Sequence, residues 1–72
     1  MDNSELSKIA EQGTRIFVGI DMNVHWVTNT PIEQNIIIFD HKTHKATQYV
    51  RARPNMDSEW WDWKIKNEVD LE

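Results

Sequence analysis

A chain of 72 residues with a formal charge of −4 has room for one small domain, and such a domain buries only about 60% of the surface its unfolded chain exposes. Apolar residues make up 39% and charged residues 28%, a globular mixture rather than a disordered one. The absence of cysteine excludes disulfides, thiolate zinc sites, iron–sulfur centres and cysteine nucleophiles.

What is left to stabilise so short a chain is large core residues, metal ligation by histidine and carboxylate, or association with another chain. Four tryptophans, Trp26, Trp60, Trp61 and Trp63, are the strongest departure from ordinary composition. Charge is unevenly spread as well. Residues 1–40 carry −4, residues 41–53 carry +4 through Lys42, Lys45, Arg51 and Arg53, and residues 54–72 carry −4.

The segment MDNSELSKIAEQG is acidic where a secretory signal has a basic region followed by an apolar run. No stretch approaches the roughly 18 consecutive apolar residues of a membrane span, so the expectation is a cytoplasmic protein without membrane contact. Residues 1–13 read as a helix and its cap. Asp2 or Asn3 caps it, Glu5 stands three residues after Asp2, Leu6, Ile9 and Ala10 form one apolar stripe, and Gly13 stands where a left-handed C-cap belongs.

Residues 14–53 read as a β-rich core. TRIFVGI (14–20) alternates Ile16, Val18 and Ile20 against Arg15, Phe17 and Gly19, with both faces expected to be at least partly covered. VHWVT (24–28) follows a turn and pairs back on it. NIIIF (35–39) suits a central strand occupied on both faces. A polar link holding Asp40, His41 and His44 leads by a hairpin to ATQYVRAR (46–53), where Thr47, Tyr49, Arg51 and Arg53 share one face.

Residues 54–72 form a Trp-rich acidic segment. WWDWKIK (60–66) fits a strand with Trp61, Trp63 and Ile65 on one face; a helix aligning Trp61, Ile65 and Val69 is the second reading. Leu71-Glu72 matches the remnant that precedes a C-terminal affinity tag and is given no functional weight. The expected fold is α+β and mostly β: a short N-terminal helix, then a small antiparallel sheet or meander of four to five strands in a single domain.

His41, His44 and Asp40, with His25 as a further donor, offer imidazole and carboxylate ligands, but a structural zinc site needs four placed donors and a solvated turn is preferred. No metal or cofactor is expected. Asp21, Asp40, Asp57 and Asp62 supply carboxylates and His25 a base, yet no cysteine nucleophile or glycine-rich phosphate loop accompanies them, and no enzyme activity is expected.

Tyr49, Arg51 and Arg53 suit a stacking and phosphate-binding strip for nucleic acid, against the acidity of the rest of the chain. The same arginines suit pairing with Glu59 or Asp62, within the chain or between two copies. Trp60, Trp61 and Trp63 offer an interface or, less economically, an aromatic cage; a plain core role fits Trp26, Trp61 and Trp63 better than it fits Trp60. The leading expectation is a non-enzymatic protein-binding module, an adaptor, inhibitor or accessory factor of bacterial or phage origin. It acts as a homodimer through Trp60, Trp61, Trp63, Tyr49, Arg51 and Arg53. A β-rich nucleic-acid-binding module and a purely structural subunit are the alternatives.

Overall fold

A computed structural model describes residues 2–71. One helix, α1 (Asn3–Glu11), precedes five strands: β1 (Arg15–Val18), β2 (Val24–Asn29), β3 (Glu33–Asp40), β4 (Lys45–Ala52) and β5 (Lys64–Asp70). Each strand pairs antiparallel with its neighbour in sequence, in the order β1-β2-β3-β4-β5, so the sheet is a meander with β3 at its centre. The expected α+β, mostly β architecture is therefore the observed one.

The helix starts and stops as its sequence requires. The Asp2 carboxylate accepts from the Glu5 amide at 2.9 Å, satisfying one of the free donors of the first turn. Gly13 adopts φ +93 just beyond the C-cap Gln12, and its amide reaches the Ala10 carbonyl. The sheet holds the same end, because Asn29 Nδ2 donates to the Ala10 carbonyl at 2.8 Å.

Only one face of the sheet is covered. Cross-strand registers place Phe17, His25, Ile38 and Thr47 in one row and Arg15, Val27, Ile36 and Tyr49 in the next, all on the helix side. Leu6 and Ala10 pack there against Val27, Ile36, Ile38 and Trp63, with Ile9, Phe17 and Tyr49 at the margin. Burial at roughly 25 cal/mol per Å² makes this small cluster the main stabilising feature.

The opposite face carries Ile16, Val18, Val24, Trp26, Ile37, Phe39, Ala46, Val50 and Val69, and no element crosses it among the described residues. This corrects two expectations. Ile16 and Val18 are 67% and 61% exposed, so β1 is covered on one face only. Trp26 and Trp61, both read as core residues, are 44% and 62% exposed, Trp26 on this open face. The central strand shows the same asymmetry, with Gln34, Ile36 and Ile38 buried and Asn35, Ile37 and Phe39 only half-buried.

The last strand is the largest correction. It runs over Lys64–Asp70 rather than 60–66, and Trp60 to Trp63 form an irregular segment leading into it. The reason lies in what holds that segment. Hydrogen bonds that Trp63 donates to the Asn3 and Ser7 side chains and stacking by two arginines fix it, and Trp61 N to Ala52 O at 2.9 Å is its one backbone bond to β4 among the described residues. Glu72 of the expected tag remnant lies outside the described residues.

Candidate interaction surface on the open sheet face

The open face is unusual in where its charges are not. Alternation sends Arg15, Asp40, Lys45, Arg51, Glu68 and Asp70 to the helix side, while Glu33 and Lys64 stand at one end of the open face. A sheet covered on one face normally alternates apolar residues inward and polar residues outward. Here the uncovered side is the less charged of the two.

The polar groups on that face satisfy one another. Asn67 Nδ2 donates to Gln48 Oε1 and Gln48 Nε2 donates to Asn35 Oδ1, both at 3.0 Å, making an amide ladder across β5, β4 and β3. Asn35 Nδ2 continues it to Glu33 Oε1. A self-satisfied ladder lowers the cost of taking these groups out of water. Beside it, at the charged end of the face, lies a groove whose lining includes Glu33, Val50, Arg51, Asp62 and Lys66, with Trp61 62% exposed at its rim.

The other residues expected at an interface are engaged within the chain. Arg51 lies between two indoles, 4.9 Å from the Trp60 ring centre and 4.7 Å from that of Trp63. Arg53 covers Trp60 at 4.2 Å, so the order is Arg53, Trp60, Arg51, Trp63. Arg51 also donates from Nε to Gln34 Oε1 and from NH1 to Ser7 Oγ, and Arg53 Nε donates to the Pro31 carbonyl. Burial draws the Arg51 guanidinium below its ordinary value.

Among the described residues neither arginine forms an ion pair with Glu59 or Asp62. Asp62 accepts from Asn3, and the ion pair between β4 and β5 is Lys45 with Glu68 at 3.9 Å. Trp63 is a core residue, 9% exposed, whose indole N–H donates to Ser7 Oγ. Tyr49 packs at the core margin, where burial and then the Glu68 charge raise its hydroxyl above the usual tyrosine range. Tyr49 and Arg51 share the helix-side face of β4, and Arg53, one residue beyond the strand, lies over Trp60.

The weak metal candidates build a turn instead. Asp40 Oδ1 accepts from the Lys42 and Thr43 amides, which hold its carboxyl below the usual range. His41 Nδ1 meets Asn23 Oδ1 at 2.7 Å, and His44 closes the hairpin in a left-handed conformation at φ 57. Among the described residues, no three His, Asp or Glu side chains converge on a position that could hold a metal ion.

One polar pair was not singled out by sequence. His25 is 2% exposed, stacks on Phe17 at 4.9 Å and sets Nε2 against Asp21 Oδ1 at 3.2 Å, while its Nδ1 has no partner. Burial works against ionisation of Asp21, but the Asn23 amide and the His25 ring outweigh it and hold the carboxyl below the usual range. Only the i, i+4 spacing across the β1–β2 turn could have signalled the contact, and on a strand that spacing carries little meaning.

No family model matches the chain, and neither a curated protein nor a solved structure shows significant similarity to it. No helix among the described residues is long and apolar enough to cross a membrane.

Proposed function

We propose that the chain is a small non-enzymatic protein-binding module whose contact surface is the open sheet face, with Trp26 near its centre and Trp61 at its rim. The observation that carries this reading is the inverted charge distribution of the sheet: most charged strand residues lie on the side the helix covers, and the side that no element covers among the described residues still carries Ile16, Val18, Trp26, Ile37 and Phe39. A contiguous apolar face of this kind, rimmed by charge, is what protein contact surfaces present. Its partner is a protein with an uncharged, apolar surface of its own. A cytoplasmic setting belongs to the same reading.

The nucleic-acid alternative needs Tyr49, Arg51 and Arg53 to be free. The Arg51 and Arg53 guanidiniums lie against indoles and donate to Gln34, Ser7 and Pro31, so binding a base or a phosphate there has to displace contacts already made. Immobilised wild-type chain is expected to retain a discrete protein that immobilised Trp26→Glu does not, and to show no retention on DNA or RNA columns at low salt. Equal retention by both chains, or salt-sensitive binding to the nucleic-acid columns, contradicts the reading.

A further inference from the structure

The sheet has two edges, and they differ in kind. β1 contributes four residues to its edge, whereas β5 offers seven, every one of them exposed. On its outer side β5 has no neighbouring strand among the described residues, so its outward backbone groups are left to solvent or to another strand. Lysines commonly guard such an edge, and Lys64 and Lys66 would do so alone. The guard needs no anions, yet the strand reads Lys64, Ile65, Lys66, Asn67, Glu68, Val69, Asp70: cations at one end, a neutral amide at the centre and anions at the other.

That order is self-complementary only in the antiparallel sense. Two copies of β5 related by a two-fold axis at Asn67 bring Lys66 of each alongside Glu68 of the other and Lys64 alongside Asp70. Parallel pairing in register sets like charges side by side. Lys64 and Lys66 form no ion pair within the chain among the described residues, so their charge is available for this use. A bulge inserts Lys66 opposite the Gln48–Tyr49 step, so Lys64 and Asp70 leave the strand on opposite faces and attract as neighbours along the edge.

We infer that a second copy of this chain pairs antiparallel along β5, joining two five-stranded sheets into one. The two-fold axis stands perpendicular to the sheet, so both helices lie on one side and both open faces on the other. The dimer therefore presents the two apolar faces as one surface. The pairing rests on strand order and charge, independently of what docks on the open face.

Charge reversal tests it. Wild type is expected to sediment as a dimer, while Lys64→Glu with Lys66→Glu, and separately Glu68→Lys with Asp70→Lys, each weaken self-association at least about tenfold. Mixing the two folded variants restores a one-to-one dimer. Because the chain has no cysteine, Asn67→Cys supplies a second readout: paired residues on the two-fold lie about 4.5–5.5 Å apart at Cα, within disulfide reach. Oxidation is expected to link that variant and not the β1 control Val18→Cys. A monomeric wild type, no recovery on mixing, or equal linking at both cysteines overturns the inference. A dimer that survives both charge reversals and is lost in Trp26→Glu is a face-to-face dimer, which also overturns it while leaving the open-face reading intact.

Discussion

The Arg51 guanidinium lies 4.7 Å from the centre of the Trp63 ring, and both side chains donate to the same Ser7 hydroxyl oxygen, at 2.9 and 3.2 Å. This junction joins helix, β4 and the segment that delivers β5. Removing the shared acceptor in Ser7→Ala leaves two partly buried donors short of a partner, at a cost of about 1–3 kcal/mol. Urea titration followed by tryptophan fluorescence measures it. A change below about 0.5 kcal/mol would mean the hydroxyl is incidental.

The asymmetry between sheet faces predicts opposite outcomes at adjacent residues. Ile36 is fully buried beneath the helix, whereas Ile37 is half-buried on the open face. Ile36→Ala is expected to cost about 2–5 kcal/mol, and Ile37→Ala less than about 1.5 kcal/mol in the isolated chain. Equal losses would show that the open face is packed after all.

Gly19 sits against the Asp21–His25 pair for a steric reason. A Cβ there would lie 2.7 Å from Asp21 Oδ1 and 2.8 Å from His25 Nε2, closer than real contacts allow. Gly19→Ala therefore separates the pair or shifts the turn, destabilising the fold by about 1–3 kcal/mol. The shift is visible in the His25 ring resonances, which stay unchanged if the pair tolerates the methyl.

Asp21 also contributes to the acid limb of stability. Its folded carboxyl ionises below the ordinary aspartate value of about 3.9, so its contribution is fully present above that value and is lost as pH falls through the lower, folded one. Asp40, held by two backbone amides, acts in the same direction. Stability measured between pH 6 and pH 2 should fall at the acid end, and less steeply in Asp21→Asn. An identical slope in that variant removes Asp21 from the account.

Much of the fold was legible because it is local. Asp2, Glu5 and Gly13 bound the helix by their capping chemistry, and the turn at Asp40 to His44 separates two runs of period two. The shared face of Tyr49 and Arg51 follows from the same alternation. Trp60 to Trp63 could not be placed in this way, since stacking between Arg53, Trp60 and Arg51 depends on residues brought together by the completed sheet. Trp26 was misplaced because alternation identifies which residues share a face but not which face a helix covers. Burial of Val27 rather than Trp26 is decided by where Leu6 and Ala10 dock.

Whether the open face is covered by a protein in the cell is tested most directly by a photoreactive side chain installed there. With benzoylphenylalanine at Trp26, and at exposed Lys8 on the helix as the control, irradiation in the source cell followed by mass spectrometry should link Trp26 to one defined polypeptide and Lys8 to none. No adduct at Trp26, or the same adducts from both positions, would contradict the account.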